Sequence, residues 1–86
     1  MDQYINLNDD EVFYIYKKIS MNIKLKRKEK EISQADISNA MGFTTPTFYT
    51  NAENCSQGKH FNLEHIIRIA EYMKVDMSEF FKGIKL

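Results

Sequence analysis

The stretch Ile32–Glu53, ISQADISNAMGFTTPTFYTNAE, contains two short helical patterns separated by one glycine, Gly42. Ser33 is placed to cap the first helix, because its hydroxyl can accept a free backbone N–H in the first turn. Gly42 suits the position after that helix, where a left-handed backbone costs glycine nothing. Pro46 fits the first turn of the second helix, since its missing N–H is not needed there. The helices are predicted over Gln34–Met41 and from Thr45 or Pro46 to about Glu53. Two short helices joined in this way form a helix-turn-helix.

Three further helices are predicted around this pair, so the expected class is all-α. Helix 1 is expected from about Asp9 to Lys30, because Asn8 and Glu11 have the spacing of a capping box. Helix 4 is expected to begin after Asn62 and to run to about Lys74. A short helix 5 should follow Asp76, with Glu79 completing its capping box and with Phe80 and Phe81 adding apolar area. The expected apolar positions of helices 1 and 4 are Val12, Ile15, Tyr16, Ile19, Ile23, Leu63, Ile66, Ile67, Ala70 and Met73.

Length and composition are those of one small globular domain. The chain has 86 residues, of which 43% are hydrophobic and 28% are charged. No apolar run reaches the roughly 18 residues that a membrane span needs, so no membrane association is expected. The first residues, MDQYINLNDD, are acidic and polar, unlike a secretory signal. Together with the single cysteine, Cys55, these features predict a cytoplasmic protein without a disulfide.

Charge is balanced overall but unevenly distributed. The 12 basic and 12 acidic residues cancel, which is unlike a strongly basic nucleic-acid binder. Seven basic residues lie between Lys17 and Lys30, against one acid, Glu29, whereas residues 33–54 carry only Asp36 and Glu53. The basic stretch is either a solvated helix face or a source of attraction for phosphate.

Two segments together resemble a known family. RKEKEISQADISNAMGFTTPTFY and LEHIIRIAEYMKVDMSEFF are similar to the Cro/cI-type helix-turn-helix regulators, also called the XRE family. The resemblance covers about Ile19 to Phe81 and implies a compact five-helix, lambda-repressor-like domain with the helix-turn-helix at helices 2 and 3. It also implies a sequence-specific regulator of transcription, a repressor, that inserts helix 3 into the major groove of double-stranded DNA. Residues 1–18 would form an N-terminal extension and the start of helix 1, residues 19–82 the DNA-binding domain, and residues 83–86 a C-terminal tail.

The resemblance also implies which side chains contact DNA. The residues matching the outward positions that read base edges are Thr45, Pro46, Tyr49 and Thr50. Those expected at phosphates are Gln34, Thr44, Thr47, Arg27, Lys28 and Lys59. Phe43 and Phe48 are expected in the core. Glu31 stands where the family often has glycine, and Asn51 where it usually has an apolar residue. Either Asn51 is partly exposed, or helix 3 shifts its register and Ala52 packs instead.

Other chemistry is less well supported by the residues. Cys55, His60 and His65 supply three possible zinc ligands, but their spacing matches no standard finger and a structural site usually needs four. No nucleophile with a nearby base and no Gly-rich phosphate loop stands out, so neither an enzyme nor a bound cofactor is expected.

Apolar residues at both ends of the chain suggest a partner. These residues are more apolar than a monomer of this size needs, so a homodimer is expected. The alternative is an N-terminal tail that folds back onto the core. The residues are Tyr4, Ile5, Phe13, Tyr14, Phe80, Phe81, Ile84 and Leu86. The alternative function is a protein-interaction module that keeps this fold, or an antitoxin-like protein that binds both a toxin and DNA.

Overall fold

The computed structural model describes residues 7–85, which form four α-helices and one short 3-10 helix. The α-helices are α1 (Asp9–Glu29), α2 (Gln34–Ala40), α3 (Thr47–Asn54) and α4 (Leu63–Met73), and the 3-10 helix spans Met77–Phe81. The all-α class is confirmed. Tyr4, Ile5 and Leu86, which contributed to the homodimer expectation, lie outside the described residues.

The expected five-helix, lambda-repressor-like arrangement is wrong, because the last segment is not an α-helix. Its backbone closes with a bond between residues three apart, from the Glu79 N–H to the Asp76 carbonyl at 3.0 Å. The Asp76 carboxylate accepts the Ser78 N–H, while Glu79 pairs with Lys82 instead of completing a capping box. Five residues offer too few intrahelical bonds to offset α-helix nucleation, and such short pieces commonly adopt the tighter 3-10 form.

The predicted caps of the first two helices are confirmed. The Asn8 side chain accepts the Glu11 N–H at 2.9 Å, and the Glu11 carboxylate accepts the Asn8 N–H at 3.3 Å. The Ser33 hydroxyl accepts the Asp36 N–H at the start of α2. These contacts satisfy backbone donors that have no partner within the first turn of a helix. They fix the start of α1 and α2 at the predicted residues.

The turn between α2 and α3 is longer than predicted. It contains six residues, Met41 to Pro46, and α3 begins at Thr47 rather than at Thr45 or Pro46. Gly42 has a φ of +85°, as expected for the residue that follows the C-cap of α2. Pro46 stands at the N-cap position of α3. Ser38 of α2 is buried and donates to the Thr45 carbonyl at 3.0 Å, which attaches the turn to α2.

The core lies between α1, α3, α4 and the 3-10 helix, with one contribution from α2. Its members are Ile19, Ile23, Ile37, Tyr49, Ala52, Phe61, Ile66, Ile69, Ala70, Met73 and Phe80. Ala52 is completely buried and Asn51 is half-buried, so α3 takes the register in which Ala52 packs. Leu63 and Ile67, expected inside, are 61% and 48% exposed because they flank the buried face of α4. Val12 is likewise exposed; it lies in the first turn of α1, before Ile19, the first buried residue in the described part of the chain.

The longest element, α1, packs against α3 and the 3-10 helix through its second half. Its 21 residues extend about 31 Å at 1.5 Å per residue. Asn22 donates to the carbonyls of Phe80 and Lys82, which anchors the 3-10 helix. None of the helices within residues 7–85 combines the length and the apolar character needed to cross a membrane.

The turn between α1 and α2 predicts a stabilising substitution. Glu31 is exposed and has a φ of +58°, a conformation that costs an L-residue roughly 1 kcal/mol but costs glycine little. We expect Glu31→Gly to raise the free energy of unfolding by about 0.5 kcal/mol, because glycine's extra entropy in the unfolded chain offsets part of the gain. Lys30→Gly is the matched control and should lower stability, since Lys30 has an ordinary φ of −89°. Urea unfolding measures both; equal losses in the two variants contradict the strain at Glu31.

Candidate nucleic-acid interface

The centre of the contact between α1, α2 and α3 is a buried carboxylate, Glu53 of α3. The Glu53 side chain is 0% exposed and accepts four hydrogen bonds. Arg27 of α1 donates two of them in a bidentate pair, from Nε to Oε2 at 2.9 Å and from Nη2 to Oε1 at 3.1 Å. The Tyr49 hydroxyl donates to Oε2 at 2.7 Å, and the Gln34 amide donates to Oε1 at 2.9 Å. Both carboxylate oxygens are therefore fully engaged by α1, α2 and α3.

Two further bonds extend this cluster to the surface. Arg27 donates from Nη1 to the Ile32 carbonyl at 2.6 Å, which holds the link between α1 and α2. The Thr50 hydroxyl donates to the Gln34 amide oxygen at 2.9 Å. We call the five side chains the Glu53 cluster; they are Arg27, Gln34, Tyr49, Thr50 and Glu53. Among residues 7–85, no buried side-chain nitrogen or oxygen lacks a partner.

The pKa values of the cluster favour the ion pair. Burial alone raises the pKa of Glu53, but the hydrogen bonds from Arg27, Tyr49 and Gln34 outweigh it, and the result lies below the ordinary value. The hydrogen bond to Glu53 raises the pKa of Arg27. Burial, followed by the bond to Glu53, raises the pKa of Tyr49, so its hydroxyl remains a donor. Glu53 is consequently charged, and Tyr49 neutral, near neutral pH.

Two of the predicted DNA contacts lie inside the protein. Tyr49 is completely buried, packs against Phe61 and directs its hydroxyl to Glu53, so the expectation that it faces a base edge is wrong. Arg27 is buried and neutralised by Glu53, so it is not placed to contact a phosphate. The reason is that Tyr49 and Glu53 are one turn apart on α3. A side chain that bonds Glu53 at this spacing must share its inward face.

Gln34 and Thr50 are half-buried and bonded to each other. The Gln34 amide nitrogen donates to Glu53, and its oxygen accepts from Thr50. Gln34 therefore connects the buried carboxylate to the outer surface of α3. The arrangement fixes the amide in one orientation, and any phosphate contact by Gln34 would compete with these bonds.

The remaining predicted residues are exposed. Thr44, Thr45 and Pro46 lie in the turn before α3, and Thr47 is the first residue of the helix. Lys28 lies in the last turn of α1, and Lys59 in the segment between α3 and α4. Within the described part of the chain, no side chain caps the start of α3. The first N–H groups of α3 therefore have no side-chain acceptor, and free donors at the start of a helix suit an anionic group.

Sequence reasoning did not identify Asn51 and Asn54 as candidate contacts on the outward face of α3. Opposite the buried Tyr49 lie Thr47 and Asn54, which are exposed, and Asn51, which is half-buried. Asn51 accepts a hydrogen bond from Ser56 at 3.0 Å. An asparagine amide can both donate and accept, and it pairs with the adenine edge in the major groove. The signal was present in the spacing: once Ala52 and Glu53 point inward, Asn51 and Asn54 must point outward.

An aromatic cluster connects the turn between α2 and α3 to helix α4. Phe43 and Phe48, expected in the core, are half-buried and pack with ring centroids 5.1 Å apart. The ring centroids of His65 and Phe48 are 5.2 Å apart. The His65 Nδ1 accepts the Asn62 N–H, a contact that caps α4. Burial lowers the pKa of His65, consistent with a neutral ring in this role. The start of α3 is therefore braced against α4.

The three residues considered as zinc ligands have separate environments. His65 belongs to the aromatic cluster, whereas His60 stacks on Tyr16 at 3.8 Å. Cys55 lies at the end of α3, with its sulfur 3.5 Å from the Ser20 hydroxyl. Within residues 7–85, no group of three His, Cys, Asp or Glu side chains could hold a metal ion.

Comparison of the chain with protein-family models, with curated proteins and with solved structures finds no match.

The Glu53 cluster predicts a large effect for a near-isosteric substitution. Glu53→Gln leaves the buried Arg27 guanidinium without a counterion, so we expect a loss of about 3 kcal/mol in the free energy of unfolding. Glu64→Gln is the matched control, because Glu64 pairs with Arg68 on the surface and should contribute less than about 0.5 kcal/mol. Urea unfolding at neutral pH compares the two. Similar small losses in both variants contradict a buried ion pair.

The lowered pKa of Glu53 predicts that the free energy of unfolding decreases in acid. Because the pKa of Glu53 is lower in the folded protein than its ordinary value of about 4.3, the unfolded chain binds the extra proton in acid. This contribution is fully present above about pH 5 and is lost as the pH falls through the folded pKa. We expect the difference in unfolding free energy between wild type and Glu53→Gln to decrease as the pH falls below the unfolded pKa of about 4.3. A difference that stays constant from neutral pH to pH 3 contradicts this assignment.

Proposed function

We propose that the chain binds double-stranded DNA in a sequence-specific manner and regulates transcription, as a repressor. The observation that carries the proposal is the Glu53 cluster, which turns the only charged residue of α3 inward and braces that helix against α1 and α2. The outer face of α3 is left with hydroxyl and amide groups and without exposed charge. Such a face can approach the polyanionic groove without repulsion and offers donors and acceptors to base edges.

The proposed readout uses α3 and the turn before it. Thr47 and Asn54 would face the bases, with Thr45 and Pro46 offering apolar contact to a thymine methyl group. Thr44 and the free N–H groups at the start of α3 would receive a phosphate. Gln34 and Thr50 would hold the helix in position. This revises the expected contact set, since Tyr49 and Arg27 act from the interior.

Attraction to the DNA backbone would come from lysines outside α3. Lys28 and Lys59 are exposed and flank the helix-turn-helix region in the chain. Ammonium groups attract phosphate without reading sequence, and their contribution falls steeply as salt is added. With balanced charge overall, we expect modest affinity for random DNA and a strong dependence on the correct site. The proposed function involves no catalytic step, and we infer a cytoplasmic location for the protein.

A protein partner is the second candidate, and the surface of α4 favours it. Ile67 and Tyr72 are exposed beside a groove that Ala40, Met41 and Met77 also line. Exposed apolar residues along a groove are typical of protein-binding surfaces. An antitoxin-like protein would combine this surface with DNA binding. Salt separates the two functions, because apolar contacts to a protein persist where phosphate contacts weaken.

Selection from a random duplex pool tests the proposal. We expect enrichment of a defined site, and a loss of about tenfold or more in affinity for that site in Thr47→Ala/Asn54→Ala, since each base contact contributes about 1–3 kcal/mol. Ser78→Ala removes an exposed hydroxyl from the 3-10 helix and is the matched control, which should bind like wild type. Fluorescence anisotropy at two salt concentrations measures affinity. Failure to enrich any sequence, or equal affinity of all three proteins, contradicts the proposal.

A further inference from the structure

The outward side of α1 carries a row of apolar side chains that the fold leaves uncovered. Tyr14, Met21 and Leu25 are 43%, 49% and 60% exposed. Successive residues of an α-helix are rotated by about 100°, so these three lie within about 40° of one another around the helix axis. They form a row about 16 Å long, since each residue advances the helix by about 1.5 Å. We call these three residues the α1 stripe.

The α1 stripe lies opposite the side of α1 that packs within the chain. Ile19, Ile23 and Arg27 are buried and point to the core. Ile23 lies about 180° around the helix axis from the centre of the stripe. A molecule bound on the stripe would therefore leave both the core and the ion pair of Arg27 undisturbed.

Lysines lie on both sides of the α1 stripe. Lys17 and Lys24, seven residues apart, lie on one side of it, and Lys18 lies on the other. Lys17 is exposed, and Lys18 and Lys24 are half-buried. Within residues 7–85, none of these three lysines forms an ion pair with a carboxylate. The sequence from Val12 to Lys28 contains no acidic residue. The stripe is thus an apolar row bordered by positive charge that the protein itself does not neutralise.

This combination of groups fits an acidic helix better than other occupants. Phosphates of a DNA duplex would match the lysines but would gain nothing from covering apolar side chains. A helix that lies in a membrane surface buries a broad apolar face, whereas the α1 stripe spans only about 40°. A second copy of α1 would bring lysines to lysines, because no acid lies between Val12 and Lys28. A helix with an apolar seam and acidic residues beside it satisfies both features of the surface.

We propose that the α1 stripe binds an amphipathic, acidic helix of a different protein. The apolar seam of that helix packs on the three stripe residues, and two of its acidic residues, seven apart, lie beside Lys17 and Lys24. Asp10 precedes Lys17 by seven residues on the same side of α1, so a basic residue of the partner lies beside Asp10. This surface is separate from α3 and from the groove beside α4, and the inference does not rest on DNA binding.

A synthetic helical peptide of about 21 residues is the probe. It carries three leucines at the spacing of the α1 stripe, one lysine opposite Asp10, and glutamates opposite Lys17 and Lys24. It is prepared in both sequence directions, and a control peptide exchanges the signs of its three charges. Fluorescence anisotropy with the full chain should give a micromolar dissociation constant for the acidic peptide in one direction, and binding about tenfold or more weaker for the control peptide. No binding of the acidic peptide in either direction overturns the proposal.

Charge reversal on the chain tests the contacts of the lysines. Lys17→Glu/Lys24→Glu should weaken the acidic peptide about tenfold or more and should strengthen binding of the control peptide. Lys30→Glu/Lys85→Glu is the matched control, because it changes the net charge equally at two exposed residues away from the stripe. It should bind the acidic peptide like wild type, and circular dichroism should show both variants folded. Equal losses in the two variants overturn the proposal, since the attraction would then come from net charge alone.

Removal of the apolar groups separates a helix from the other occupants. Met21→Gln/Leu25→Gln should weaken the acidic peptide about tenfold or more, and unchanged binding overturns the proposal. Wild type and this variant should bind vesicles of phosphatidylserine and phosphatidylcholine equally, and duplex DNA should not displace the peptide. Vesicle binding that this variant abolishes assigns the surface to a membrane, and displacement by DNA assigns it to a duplex. Either result overturns the proposal, as does a dimer of the chain alone that this variant disrupts.

Discussion

The bidentate pair between Arg27 and Glu53 is the interaction on which the positions of α1, α2 and α3 depend. A carboxylate removed from water is stable only where its oxygens are hydrogen-bonded and its charge is matched. Here four donors from three helices meet that requirement around one side chain. Such an arrangement has few alternatives, because any rotation of α3 leaves either the acid or the guanidinium buried without a partner. The ion pair thus fixes which face of α3 is hidden.

The exposed face of α3 follows from the hidden one. With Tyr49, Ala52 and Glu53 turned inward, hydroxyl and amide groups remain at the surface. This accounts for an outer helix face that is polar and yet poor in charge. Under the proposed function, a chain with no net charge could still approach DNA, since its lysines are separate from the helix that would read the bases. Specificity and attraction would then come from different elements.

Much of the fold was predictable from local sequence, because caps and glycine turns are local effects. Asn8, Ser33, Asn62 and Gly42 mark the ends of helices where the structure has them. The wrong predictions concern side chains whose orientation or burial is determined by tertiary contacts. The family resemblance implies an outward Tyr49, whereas a buried acid one turn later accepts a hydrogen bond from its hydroxyl and holds it inside. The partner of that acid, Arg27, is 26 residues away, a separation that periodicity cannot reveal. Likewise, apolar spacing alone could not show that Leu63 and Ile67 border the core of α4.

Hydrogen exchange of the arginine side chains, followed by NMR, tests the central ion pair most directly. Arg27 and Arg68 both pair with a carboxylate, but the Arg68 side chain is 62% exposed and that of Arg27 only 8%. The account predicts that the Nε proton of Arg27 exchanges with water orders of magnitude more slowly than that of Arg68, together with a slowly exchanging Tyr49 hydroxyl proton. Equal exchange of the two arginines would contradict the account, since α3 would then lack the constraint that orients it.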